Sequence, residues 1–169
     1  MRLLERATYV ALIAVSCLSA WVLIRNQLLT PRASRDSAVS PLRGETITLG
    51  DVIWERAPHT VVLVLSAHCH WCKESVPLYQ KVSTLHKATK AAFQLFAVST
   101  DTGDELSRFL STNLIEVDGI IPAEAASLGI RATPSVLLVN RQGRVVSSWQ
   151  GAMRSSDESA FLEILRKSP

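Results

Sequence analysis

Cysteine is scarce in this chain, with three in 169 residues, and one of them, Cys17, lies inside an apolar stretch. A disulfide-stapled framework is thereby excluded, and Cys69 and Cys72 remain as partners for one another. Charge of one sign is also lacking. Eighteen Lys and Arg against 15 Asp and Glu give a net charge of +3, part of which is arginine flanking the apolar stretch. Clustered Lys/Arg faces with interleaved aromatics are missing, which argues against nucleic acid as a partner. No internal repeat is present. With 47% hydrophobic residues, the chain beyond its N-terminal segment can bury one core but not two.

What is present centres on residues 61–77. An apolar β-branched run, Val61 to Leu65, stops at Ser66-Ala67, and Cys69-His70-Trp71-Cys72 follows where the pattern turns helical. A thiol pair at a strand-to-helix junction meets unpaired backbone N–H groups and the positive end of the helix dipole, both of which favour the reactive thiolate. Dithiol–disulfide exchange is the first chemistry to expect.

The N-terminal segment reads separately. After a charged head at residues 1–6, residues 7–24 carry no charged side chain. At about 1.5 Å per residue such a helix reaches roughly 27 Å, enough to cross the hydrocarbon of a bilayer. A cleaved secretory signal competes, but the hydrophobicity continues through Trp21-Val22-Leu23-Ile24, past the small residues where cleavage would fall, so a retained transmembrane anchor is preferred. Cys17 is read as a membrane-embedded cysteine. Arginines on both sides leave the positive-inside count undecided. A short head before a single anchor favours a cytoplasmic head, with the domain facing the periplasm or extracytoplasmic side of a bacterial-type cytoplasmic membrane. Residues 25–44, rich in Ser, Pro and Arg, read as a linker, and residues 45–169 as the domain.

Within the domain, Gly44 to Gly50 alternates as an edge strand would and Asp51 to Trp54 suits a helical turn. Val61 to Leu65 is apolar at every position, as in a central strand covered on both faces. The spacing from His70 to Thr89 predicts a helix bent by Pro77. Phe93 to Val98 predicts a strand, Asp104 to Leu110 a helix, Leu114 to Val117 a short strand and Pro122 to Leu128 a helix opened by proline and closed by Gly129. Strand, helix, strand implies a parallel pair with a right-handed crossover. Val136 to Val139 and Arg144 to Trp149, joined through Asn140-Arg141-Gln142-Gly143, predict a hairpin. A capped amphipathic helix over Phe161 to Leu165 closes the chain. The fold class is α/β, a mixed central sheet with helices on both faces. Trp54 and Trp149 read as packing residues, and His59 and His86 receive no role.

Several features in this order carry a resemblance: Cys69-X-X-Cys72 at the junction, Pro77 five residues later, Thr133-Pro134 before the terminal hairpin, Gly143 and Gly151 within and after that hairpin, and the anchor with its linker. Over residues 45 to 166 the chain resembles the thioredoxin superfamily, and within it the membrane-anchored TlpA/ResA/CcmG-like thiol-disulfide oxidoreductases. The resemblance implies a thioredoxin-like fold, a cis Thr133-Pro134 bond with Pro134 against the cysteines, and Thr133 offering backbone groups to a substrate segment. It further implies a redox-active Cys69–Cys72 disulfide with no other cofactor. The partners it implies are protein thiols or disulfides and a membrane or soluble redox partner that recharges the pair. Two departures stand out. His68 occupies the position before the first cysteine where relatives usually carry tryptophan, and the positions of the usual nearby acid hold Leu63 and Ser75.

By this analogy and by exposure, Cys69 is the attacking thiolate and Cys72 the resolving thiol of a mixed-disulfide mechanism. His68 and His70 flank Cys69, and protonation of either would favour the thiolate and make the disulfide more oxidising. Trp71 is either an aromatic platform for substrate or a cap over the cysteines. A different class of function also fits the letters: His68-Cys69-His70-X-Cys72 contains enough ligand types for copper or zinc, although adjacent residues at a helix start converge poorly on a tetrahedral ion, so no metal site is assigned. Haem attachment is excluded by Lys73.

Overall fold

The computed structural model describes residues 42–50, 52–89, 92–122, 128, 130 and 132–167. The chain divides into two units, Met1–Ala38 and Val39–Pro169, and every described residue lies in the second. The expected anchor at 7–24, its head and most of the linker therefore lie outside the described residues. Among the described residues, no helix is long and apolar enough to cross a membrane.

Five strands form one sheet: β1 His59–Leu65, β2 Phe93–Ser99, β3 Gly119–Pro122, β4 Ser135–Asn140 and β5 Val145–Gln150. Their order is β3-β2-β1-β4-β5. β1 runs parallel to β2, and β2 to β3, while β4 is antiparallel to both β1 and β5. The apolar run at Val61 to Leu65 is thus central, with Leu63 paired to Ala97 on one side and Val136 on the other. The right-handed twist of such strands fixes the crossover between β1 and β2, which carries the helices α1 His70–Glu74 and α2 Val76–Thr89. Beyond β2 comes α3, Gly103–Thr112, and after β5 comes α4, Ser155–Lys167.

Side chains alternate across the sheet, and two clusters result. Val61, Leu63, Leu65, Leu95 and Leu138 join Cys72, Tyr79, Val82, Leu106, Leu110, Phe161 and Leu165, so α1, α2, α3 and α4 each feed one cluster. Val62, Val64, Val98, Leu137 and Val139 join Leu42, Ile47, Leu49, Leu128 and Ile130 in the other. Helices on both faces were expected; among the described residues the second face is covered by the entry segment and by Leu128 and Ile130. Trp149 lies against Phe161, ring centroids 5.1 Å apart, and Trp54 packs on the second cluster, both as packing residues.

Four local expectations are corrected. Gly44 to Gly50 forms one isolated bridge, Thr46 to Arg144, instead of a strand; Ile47 and Leu49 nonetheless turn inward and are buried. The helical turn falls at Trp54–Arg56 as a 3-10 turn, beyond its expected place. The helix after the cysteines is broken, not bent: Ser75 ends α1, and Pro77 stands second in α2, where its missing N–H costs nothing. Finally, Leu114 to Val117 is loop and the strand lies at Gly119–Pro122, so Pro122 ends an edge strand instead of starting a helix. The rest of that expected helix, residues 123–127, lies outside the described residues.

In the hairpin, Gly143 has φ +72°, and a Cβ there would stand 3.0 Å from Trp54 Nε1 and 3.2 Å from the Ile47 carbonyl. Only glycine satisfies both the left-handed backbone and that approach.

Candidate active site

β1 is fully buried from Val61 to Leu65 and delivers the chain to a loop at its C-terminal end. Asp101, just past β2, organises that loop: Oδ2 accepts the Ala67 N–H at 2.7 Å and Oδ1 accepts the Ser66 hydroxyl at 3.2 Å. Ser66 Oγ in turn accepts the His68 N–H at 3.2 Å. These bonds set where α1 begins. Cys69 is its N-cap, with extended backbone, and Cys69 Sγ accepts the Cys72 N–H at 3.3 Å.

The two thiols are three residues apart but meet different surroundings. Cys69 is partly exposed, and its Sγ–H donates to the Thr133 carbonyl at 3.3 Å. That carbonyl is brought in from the loop before β4, where the Thr133-Pro134 bond is cis. Pro134 is buried, and its own carbonyl accepts the Gly151 N–H at 2.7 Å. Cys72 is fully buried in the helix-covered cluster. For Cys69, partial burial pushes the thiol pKa up. Hydrogen bonding from the Cys72 side chain, from Thr133 and from the Cys72 and Trp71 backbone outweighs it, leaving the pKa below the ordinary thiol value. For Cys72, burial dominates and pushes the thiol up to about 12, with Cys69 beside it adding to the rise. One sulfur is prepared to ionise, and the other holds its proton.

The flanking residues divide. His68 is exposed and turns to α3, its Nε2 lying 3.2 Å from Glu105 Oε1. Glu105 also closes a capping box with Thr102, and Thr102, then His68, hold its carboxyl below the usual range. His70 stands edge-on to Trp71, ring centroids 5.2 Å apart, and Trp71 is 57% exposed beside the thiols. The lowering at Cys69 comes from the helix start and the Thr133 loop. The structure thus brings together Cys69, Cys72, Trp71, Thr133 and Pro134, and directs His68 elsewhere. Asp101 and Glu105 were not foreseen. Thr102-Gly103-Asp104-Glu105 is a readable capping box that marks the start of α3, whereas the reach of Asp101 back to Ala67 depends on the pairing of β1 with β2.

The family model described as Redoxin matches residues 33–165. The chain belongs to the Redoxin family. No curated protein matches this Redoxin sequence. Among solved structures it is similar to a thiol-disulfide isomerase from Corynebacterium glutamicum, over 77% of this chain and 98% of that one, at 19% identity and a TM-score of 0.55. The thioredoxin domain of a thiol-disulfide oxidoreductase from Bacteroides vulgatus is similar over 64% of this chain and 79% of its own, at 20% identity and 0.51. A secreted Mycobacterium tuberculosis disulfide oxidoreductase, homologous to E. coli DsbE, covers 66% of this Redoxin and 83% of itself, at 11% identity and 0.52. At such identities the likeness establishes the thioredoxin-like fold. Family membership, together with a partly exposed thiol beside a buried one, makes this Redoxin a thiol-disulfide oxidoreductase.

Proposed function

We propose that this Redoxin is a membrane-tethered oxidoreductase that exchanges electrons with protein thiols and disulfides through Cys69 and Cys72, on the extracytoplasmic side of a bacterial-type cytoplasmic membrane. The observation that carries the exchange is the asymmetry of the pair: Cys69 Sγ sits between the Cys72 N–H and the Thr133 carbonyl at 3.3 Å from each, while Cys72 is enclosed. The Cys69 thiolate attacks one sulfur of a substrate disulfide, a mixed disulfide forms, and the other substrate sulfur leaves and takes up a proton. Cys72 then gives up its proton and attacks Cys69 Sγ, closing the Cys69–Cys72 disulfide and releasing the second substrate sulfur as a thiol. Run backwards, the same steps oxidise a substrate dithiol. Thr133, with its carbonyl at the reacting sulfur, and the exposed face of Trp71 are the groups placed to align an extended substrate segment, and Pro134 holds the Thr133 loop across the pair. Tethering rests on the uncharged run at residues 7–24.

Copper or zinc binding gains no support from the arrangement. Among the described residues no three His, Cys, Asp or Glu side chains are placed to share an ion, and His68 turns to Glu105. The test of the exchange reading is a pair of variants. Cys69→Ser should abolish reduction of insulin disulfides. Cys72→Ser should accumulate mixed disulfides with other proteins, visible as reductant-sensitive bands on a gel; activity retained by Cys69→Ser overturns the reading.

A further inference from the structure

A buried polar atom below the dithiol is left without a partner. Tyr79, the fourth residue of α2, is fully buried. It belongs to the same apolar cluster as Cys72 and Leu63, with Cys69 packed at the cluster margin. Its Oη makes no hydrogen bond. Buried hydroxyls are almost always paired, because an unmet donor keeps the full cost of its lost water, so one left open next to a reacting group calls for a reason. The surroundings narrow that reason. Leu63 is apolar, and Ser83, the polar side chain one turn further along α2, is committed to the Glu116 carbonyl. Burial raises the pKa of the phenol most, Ser75 beside it pulls the other way, and charge on Cys72 or Cys69 adds to the rise, so the proton stays in place. Tyr79 can therefore donate a hydrogen bond but not serve as a base.

We propose that the Tyr79 hydroxyl is the hydrogen-bond donor to the Cys72 thiolate, the species that exists only while the Cys69–Cys72 bond is being made or broken. The idea rests on the exchange reading above. When a substrate thiolate attacks Cys69 Sγ of the disulfide, the new S–S bond forms, the Cys69–Cys72 bond breaks, and Cys72 leaves carrying the electron pair into an apolar cluster. A buried O–H in that cluster, with only Ser75 beside it, turns to donate to that charge in place of water. Cys72 is then protonated from solvent through the open side of Cys69, and Tyr79 keeps its proton throughout. In the resting dithiol, Cys72 is a neutral thiol and so only a weak acceptor, and the phenol makes no bond to it.

Tyr79→Phe removes the oxygen and keeps the ring. Reduction of the Cys69–Cys72 disulfide by dithiothreitol, followed by stopped flow at neutral pH, should slow about tenfold in this variant, the size expected for one lost hydrogen bond to a charged group. The alkylation profile of Cys69 should stay where it is. A merely structural Tyr79 would alter the melting temperature without touching this rate. Equal rates for the two proteins overturn the proposal and leave the exchange reading intact, whereas a wild-type disulfide that dithiothreitol cannot open overturns both. A second measurement keeps the hydroxyl in place: in Cys69→Ser protein, the Tyr79 13Cζ resonance should move with the titration of Cys72. A resonance that stays fixed while Cys72 ionises also overturns the proposal.

Discussion

Cys69 and Cys72 share a single turn of helix, and what separates them is water. Cys69 keeps an open side and accepts the Cys72 N–H, a donor that favours its charge, while Cys72 has an apolar enclosure that opposes charge. The separation links pH to the stability of the reduced protein. Cys69, with its pKa depressed on folding, contributes stability above the ordinary thiol range that is lost as pH falls through its folded value. Cys72 acts in the opposite sense: between its ordinary value of 9.0 and about 12 the unfolded chain has released a proton that the native state still holds, so stability falls as pH rises. Tyr79, raised by burial, steepens the upper end. Urea unfolding of the reduced protein should show a loss approaching about 1.4 kcal/mol per pH unit from Cys72 across that window. Cys72→Ala should flatten the slope, and an unchanged slope contradicts the assigned burial effect. The cysteine spacing, the proline after Thr133 and the exposed tryptophan were all legible in the letters, since each is tied to a local pattern. Tyr79 falls within the helix that the spacing from His70 to Thr89 predicts; that its hydroxyl stays unpaired depends on which side chains close over it.

The elements show where pattern and structure part. Leu114-Ile115 reads as the start of a strand, and instead it ends α3. Leu114 N–H donates to the Ser111 carbonyl at 3.1 Å and Ile115 N–H to the Leu110 carbonyl at 2.9 Å, with Leu114 at φ +56°. That is a Schellman stop, in which Ile115 and Leu110 are both drawn into the core. The apolar pair was the signature of the cap's hydrophobic contact, not of a ladder, and its usual marker, glycine, is missing. A leucine held in the left-handed region costs roughly 1–2 kcal/mol, and Leu114 is 78% exposed, so little packing offsets it. Leu114→Gly should therefore stabilise the protein by about 0.5–1 kcal/mol after the added freedom of the unfolded chain is subtracted. Chemical denaturation checks the sign, and a destabilised variant refutes it. By contrast, β1, β2 and the β4–β5 hairpin were readable because unbroken apolar runs and an Asn-to-Gly turn have few other uses.

At the scale of the molecule, the sheet order explains why distant segments make one centre. Cys69 and Thr133 are 64 residues apart, yet the antiparallel pairing of β1 with β4 sets the end of one strand beside the start of the other. Asp101 arrives by the parallel pairing of β1 with β2. The same residues could serve a free or a tethered enzyme, and the difference lies in residues 7–24. Eighteen positions without a charge are, as a helix, long enough for the roughly 30 Å hydrocarbon layer within the usual tolerance, and a helix would satisfy its own backbone there. In the proposed orientation Cys69 would face the exterior solvent, and a membrane-impermeant maleimide added to intact spheroplasts should label it after mild reduction. Full-length protein should pellet with membranes and resist an alkaline carbonate wash, and a variant lacking residues 7–24 should be released from the membrane fraction and still reduce insulin, because none of the groups at the thiol pair lies in that stretch. Labelling that appears only after lysis places the domain on the cytoplasmic side. A full-length chain extracted by carbonate removes the anchor, and in either case the exchange chemistry of Cys69 and Cys72 would stand apart from the question of where it operates.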